Sequence, residues 1–433
     1  MDTHLTLVSA WRELLLSFSP VFTEPSTRTF VQLLSAWVLC SGRHALTGML
    51  PFVEPQETRS HDAFHRFLSQ AQWETKELWR RWTCCVVGLL APTGKLRLDL
   101  DDTLFHKSGS RVAGAGWWRD PVRSTGTRVV HAFGLNLLVL TLRVQPPWGG
   151  EPLGLPLYVR LHRKGERGLL DLAEEMLREV AAWLPQRWFT LCADGFYASL
   201  AGRDLPRAVL TSRMRRDAAL FDLPPPRRPG QRGRPRKKGP RLPTPAQLAR
   251  RTRDWRLVET EERGQKRKRL IHTRLVLWYA VCGTRPVRLV ISRDPAGKEK
   301  DDFFFTTDLA AAPGATVGGF AGRWSIEDTF RNVKQYLRAE EPQAWKREGP
   351  ARAAALGFLL YGLVWAWYLT HAHGRFPLVR RPWYGGKSRP SFQDALCALR
   401  KCLWQARISG LSGAPSLRAK IIDPLLAALA SCA

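Results

Sequence analysis

The sequence predicts an α/β protein, a mixed sheet flanked by a helical N-terminal region and a helical C-terminal tail. Three observations carry that expectation. Residues 96–101 (LRLDLD) alternate apolar and polar, the period of a half-buried strand. A helical pattern over 169–183 separates two groups of strand-like runs, which suits a mixed sheet. Residues 1–92 show helical apolar spacing, as in Phe30-Val-Gln-Leu-Leu-Ser-Ala-Trp37 and Phe64-His-Arg-Phe-Leu-Ser-Gln-Ala-Gln-Trp73.

Composition narrows the class. At 433 residues with 44% hydrophobic residues and 18 Trp, the chain can bury a sizeable core and is not disordered overall. Lys and Arg total 67 against 38 Asp and Glu, a formal charge of +29. That excess points to a polyanion, most simply DNA or RNA, with a basic membrane-surface protein as the competing reading. The eight cysteines are scattered and form no CxxC pair, which supports neither a zinc knuckle nor a disulfide framework and suits a reduced intracellular setting. The N-terminus has no basic region of the secretory kind. The apolar run 356–369 (LGFLLYGLVWAWYL) is too short to span a bilayer and reads as a buried helix.

Along the chain, residues 1–92 read as a self-contained helical unit whose cationic, aromatic stretch Leu78-Trp-Arg-Arg-Trp82 suits DNA. Strands follow at 96–101, 129–142 and 153–160, then the helix at 169–183 and a fourth strand at 187–193. Residues 223–253 contain no acid, and the Pro- and Gly-rich core at 224–241 reads as an extended loop. Within it, Arg232-Gly-Arg-Pro-Arg-Lys-Lys238 resembles an AT-hook, whose flat core slides into a narrow minor groove. Arg232, Arg234, Arg236, Lys237 and Lys238 are therefore expected to contact DNA, with a solvated linker as the plainer alternative. Further strands are expected at 269–281, 287–291 and 303–307, then a helix containing Glu327, then a basic helical tail over 375–433.

Read as one helix, Phe320, Arg323, Glu327 and Lys334 lie at offsets 0, 3, 7 and 14. At about 100° per residue they form a single stripe about 60° wide. Other acids stand at the ends of the expected strands: Asp99, Asp101 and Asp102 close the first, and Asp194 ends the fourth. In a ribonuclease-H-like sheet those two strands are neighbours, and a crossing helix delivers the Glu. Carboxylates brought that close are tolerable around divalent cations, and oxygen ligands without Cys or His suit Mg²⁺ or Mn²⁺. Two such ions serve in-line phosphoryl transfer.

With these residues in hand, the chain resembles the bacterial insertion-sequence DDE transposases of the cut-and-paste type. Their Tyr-x2-Arg-x3-Glu-x6-Lys motif reads here Phe320-x2-Arg323-x3-Glu327-x6-Lys334, with Phe in place of Tyr. The family's Asp-x-Thr is matched by Asp101-Asp102-Thr103, and its strand-end Asp by Ala193-Asp194-Gly195-Phe196. The resemblance implies a ribonuclease-H-like catalytic domain (93–215 and 301–374) interrupted by a basic β-rich insertion (216–300), between a helical DNA-binding domain (1–92) and a helical C-terminal region (375–433). It implies Asp101, Asp194 and Glu327 as catalytic and metal-binding residues for two Mg²⁺ ions. The Asp-x-Thr pattern and strand alternation favour Asp101 over Asp102, leaving Asp99 beside the site or as a solvated partner of Arg97. Phe320, Arg323 and Lys334 would lie on phosphates around the scissile bond. Partners would be double-stranded DNA, both terminal inverted repeats and target, bound by a homodimer in the bacterial cytoplasm at the nucleoid. A family Trp that stacks on a flipped base has no counterpart at Asp302-Phe303, leaving Phe303, Trp255 or Trp278 to substitute. A nuclease of the same fold without strand transfer, or an inactive DNA-binding derivative, is the alternative function.

Overall fold

Alternating apolar runs spread along the chain assemble into one sheet. The computed structural model describes residues 3–54, 59–120, 122–227, 233–380 and 385–408, with Leu425 and Leu429. It begins with five helices: α1 (Thr3–Leu16), α2 (Glu24–Leu39), α3 (Leu46–Met49), α4 (His61–Ser69) and α5 (Thr75–Leu90). Four strands follow, β1 (Leu96–His106), β2 (Gly116–Arg119), β3 (His131–Val144) and β4 (Leu153–His162). Then come α6 (Leu169–Trp183), β5 (Phe189–Ala193), β6 (Ala208–Arg213), α7 (Pro245–Arg251), β7 (Arg256–Glu262), β8 (Gln265–Val276) and α8 (Tyr279–Cys282). The chain continues through β9 (Val287–Arg293), β10 (Asp302–Thr306), α9 (Pro313–Ala321), α10 (Trp324–Gln335), α11 (Gly349–Trp367) and α12 (Phe392–Ile408).

The strand order is β2-β3-β1-β5-β6-β10-β9-β8-β7, with β4 also pairing β3. β1 runs parallel to β5, and β5 parallel to β6, while the other pairs are antiparallel. The order β4-β3-β1-β5-β6 is ribonuclease-H-like. β7, β8 and β9 extend this sheet, because β10 joins β6 on one side to β9 on the other.

Several elements differ from the sequence reading. β1 does not end at Asp101 but runs on to His106, because Thr103, Leu104 and Phe105 are all buried and continue the ladder with β3. The expected helix across 320–334 is two helices, broken at Gly322-Arg323. β2, β6 and β7 are short or polar and lie outside the expected strands. α7 is a further addition, although its capping box, Thr244 with Gln247 behind a Pro at the first turn, is visible in the sequence. The strand expected over 269–281 stops at Val276, and Trp278 caps α8.

The N-terminal helices are not self-contained. Trp37 Nε1 donates to the Leu337 carbonyl at 2.7 Å, Trp367 Nε1 to Leu7 at 2.9 Å, and Arg400 Nε to Val38 at 2.6 Å. One apolar core therefore spans α1, α2, α5, the sheet, α11 and α12. The cationic stretch of α5 turns its Trp79 and Trp82 into that core, both 0% exposed. α11 and the π turn after it form a 24-residue helix, Gly349–Ala372, long and apolar enough to cross a membrane, but 89% of its most apolar 18-residue stretch is buried inside the fold. Burial rather than length marks it as a core helix.

Trp82 also ties α5 to the sheet, its Nε1 donating to the Pro156 carbonyl at 2.5 Å. Trp82→Ala is expected to destabilise the protein by about 3–5 kcal/mol, read as a lower denaturation midpoint.

Candidate active site

Strand alternation sorts the acids of β1 onto two faces. Phe105, which shares the parity of Asp99 and Asp101, stacks on Phe358 of α11 with ring centroids 5.5 Å apart. On the same face Asp99 accepts from Ser325 Oγ at 3.1 Å. Asp99 is 0% exposed and forms a two-pronged ion pair with Arg143 of β3. It is thus not a solvated partner of Arg97, whose own side chain is exposed. Arg143 also donates to the Gly319 carbonyl at 2.7 Å, fastening the end of α9 over the sheet.

Asp101 follows on that face. Arg323, at the break between α9 and α10, donates from Nη1 to Asp101 Oδ2 at 2.6 Å and from Nη2 to Glu327 Oε1 at 2.9 Å. One guanidinium, 8% exposed, therefore spans two of the three expected acids. Asp194 arrives by register: Leu100 pairs with Ala193 in the parallel β1–β5 ladder, so Asp194 comes next beside Asp101. There the chain leaves β5, and Asp194 caps the 3-10 turn Gly195–Gly202 by accepting the Phe196 N–H at 2.8 Å. Asp102 points the other way, where the buried Tyr197 donates its hydroxyl to Asp102 Oδ1 at 2.7 Å.

Burial pushes the Asp101 carboxyl up to about 7; Arg323 opposes the shift, and Asp194 and Asp102 add to it. Asp102 is also raised by burial, with the Tyr197 hydroxyl acting against it. Arg323 moves upward because the attraction of Asp101 and Glu327 outweighs its burial.

Among the described residues, no group of three His, Cys, Asp or Glu side chains stands arranged to hold a metal ion. The donor chemistry nonetheless fits a hard divalent cation. Asp101, Asp194 and Glu327 offer only carboxylate oxygens, and Asp101 is held where it favours a bound positive charge. That charge is supplied here by Arg323.

The remaining predicted site residues divide. Phe320 is 5% exposed and packs on Phe304, centroids 4.9 Å apart, in a small core with Ile271, Val290 and Val317. Its ring therefore backs the Arg213 and Arg323 guanidinium groups rather than facing a phosphate directly. Lys334 donates to the Leu104 carbonyl at 2.8 Å. Arg234, Arg236 and Lys237 are exposed, Lys238 sits 3.9 Å from the Phe221 ring centroid, and Arg232 lies outside the described residues. Of the stacking candidates, Trp278 is buried against Phe305, Trp255 lies under Arg293, and Phe303 packs on the core. Trp324 escapes the sequence reading: it is 46% exposed, with the Arg263 guanidinium 4.1 Å from its ring centroid. Its place next to Arg323 is the available signal. Arg143, Ser325 and Tyr197 escape it too, since they reach the site through pairings far apart in sequence.

Because Asp101 holds its proton more tightly folded than unfolded, its ionisation opposes folding. The penalty is absent below about pH 4, grows up to about pH 7 and is complete above it. In chelator, Asp101→Asn is expected to melt above the parent at pH 8, with the gain gone at pH 4; a pH-independent difference would contradict the assignment.

Residues 17–279, more than half of the chain, match the family described as DDE superfamily endonuclease. The matched span contains Asp101 and Asp194 and ends before Glu327. No curated protein matches the chain. Members of the family use divalent metal ions and act on DNA as nucleases or transposases. With the ribonuclease-H-like sheet, Asp101 inside β1 and Asp194 just past the end of β5 within the matched span, the chain belongs to the DDE superfamily endonucleases.

Proposed function

We propose that the protein is a transposase, cutting phosphodiesters at the ends of an insertion element and joining the freed 3′ ends to target DNA. The observation that carries this reading is the Arg323 bridge. It brings the Arg and Glu of the Phe320-x2-Arg323-x3-Glu327-x6-Lys334 spacing onto the β1 aspartate, with Asp194 beside it. Asp101, Asp194 and Glu327 would hold two Mg²⁺ ions, or Mn²⁺ in their place. Bound there, divalent ions supply activation of the attacking oxygen and stabilisation of the leaving oxygen.

The protein's own groups do the positioning. Arg323, which now spans Asp101 and Glu327, could present a bidentate guanidinium to a phosphate next to the cut if these carboxylates held a cation instead. Phe320 limits its travel from behind. Lys334 places a second positive charge two turns along α10 from Glu327. A homodimer would synapse two ends, and the setting would be the bacterial cytoplasm at the nucleoid. A nuclease of the same fold without strand transfer shares every one of these residues, so the joining step separates the two readings.

Asp101→Ala, Asp194→Ala and Glu327→Ala are each expected to reduce Mg²⁺-dependent cleavage of terminal-repeat DNA at least about 10³-fold, with DNA binding retained. Denaturing gels of the cleavage and joining products make the measurement. Cleavage by Glu327→Ala would sink the assignment, and cleavage by the parent without joining would favour the nuclease.

Replacing Arg234, Arg236 and Lys237 together with Ala should flatten the salt dependence of binding, by up to about 0.9 in log–log slope for each phosphate no longer neutralised. An unchanged slope would make the basic loop a linker.

A further inference from the structure

We infer that the ribbon formed by β2 and the start of β3 is a second DNA-contacting element, pressing an aromatic and cationic face onto the strand that flanks the cut. The inference rests on the DNA-cleaving function proposed above.

Position comes first. β3 runs antiparallel to β1, and their last pair is His106 with Gly134. Residues of β3 before Gly134, and the β2 residues paired to them, therefore project beyond the C-terminal end of β1. β5 runs parallel to β1 and delivers Asp194 at its own C-terminal end. The ribbon thus rises from the sheet edge that carries the candidate acids. From Asp101 to the end of β1 at His106 is five residues, about 17 Å.

Its two faces differ. Trp118 turns inward, its ring 4.8 Å from His162 and its Nε1 donating to the Gly134 carbonyl at 3.2 Å. Trp117 turns outward, 61% exposed, with the Phe133 ring edge-on at 5.8 Å. Arg119, paired across the ribbon with His131, shares that outer face, and both are exposed. A single exposed Trp on a soluble surface is ordinary. A Trp braced by a second ring and placed beside unpaired cations is a stacking platform with phosphate contacts at hand.

Charge points the same way. Between His106 and His131 stand Lys107, Arg111, Arg119, Arg123 and Arg128 against one acid, Asp120. Asp120 is 1% exposed and is engaged by the Val122 and Arg123 N–H groups, His106 and the Arg123 side chain. Arg111, Arg119 and Arg128 have no acidic partner among the described residues. The surface is complementary to a polyanion and repels a second copy of itself.

The root is braced against the segment that follows the Glu327 helix. Glu340 accepts the His106 N–H at 2.8 Å, Lys107 reaches the Glu340 and Pro342 carbonyls, and the Ala113 N–H donates to the Trp345 carbonyl at 2.9 Å. Trp345 is itself 57% exposed, next to exposed Lys346 and Arg347. DNA held by the ribbon would thus be held in fixed relation to α10.

The test uses full-length protein and terminal-repeat duplexes carrying 2-aminopurine at successive positions flanking the cut. Trp117→Ala and Arg119→Ala/Arg128→Ala are compared with the parent and with Glu327→Ala. The expected result is binding roughly 10–100-fold weaker for Trp117→Ala, with loss of the 2-aminopurine change seen in the parent. Arg119→Ala/Arg128→Ala should flatten the salt slope, and Glu327→Ala should fail to cleave. Parent-like affinity and fluorescence in Trp117→Ala overturns the ribbon's role. So does a change of sedimenting mass without a change in DNA affinity, which would make the ribbon a contact between copies. Cleavage by Glu327→Ala defeats the catalytic assignment instead, so the two failures are distinguishable.

Discussion

A fully buried ion pair, Asp99 with Arg143, decides where the candidate catalytic helix lies. Two charges removed from water gain little net stability, yet leaving either unpaired costs about 3–5 kcal/mol. The pair is complete only when Ser325 donates to Asp99 and the Gly319 carbonyl accepts from Arg143. Those partners stand on either side of the α9–α10 break. The sheet therefore selects one position for the break, and Arg323, lying in it, is delivered to Asp101. Close packing supports the same position. A Cβ on Gly322 would sit 2.5 Å from the Arg143 guanidinium, and one on Gly154 would meet the Ser325 carbonyl at 2.8 Å. Thr329 of α10 closes the contact by donating to the Gly154 carbonyl at 2.6 Å.

How much of this can be read from the sequence depends on whether the signal is local. The alternation in 96–101, the strand-end setting of Asp194 and the Arg–Glu spacing are local patterns, and the structure puts all three in one place. The continuation of β1 is not legible, because two adjacent aspartates look like an ending. Both are tolerated inside the strand because each has a polar partner on its own face, Arg323 for Asp101 and Tyr197 for Asp102. The helix break is partly legible: Gly318, Gly319 and Gly322 crowd the segment, but periodicity outweighs them. Arg143 lies 44 residues from Asp99 and Tyr197 95 residues from Asp102, so no local window can pair them.

The two aspartates of β1 have different work as a result. Asp102 is tied to the 3-10 turn that begins at Asp194, so the Tyr197 hydroxyl clasps β1 to the segment carrying the second acid. Asp101 faces the guanidinium and the helix instead. Phe320 packs one face on the small apolar core and presents its ring to the Arg213 and Arg323 guanidinium groups.

Charge balance at the site follows from these placements. Asp101 and Glu327 share one guanidinium, and burial, reinforced by the neighbouring Asp194 and Asp102, pushes the Asp101 carboxyl up to about 7. A divalent cation held by Asp101 and Glu327 would compete with Arg323 for these carboxylates, and a guanidinium displaced from them would be available to a phosphate. The buried Asp99–Arg143 pair stays fixed throughout, since its partners are main chain and hydroxyl groups that do not change charge. The helix that carries Glu327 therefore keeps its place whatever the charge on Asp101.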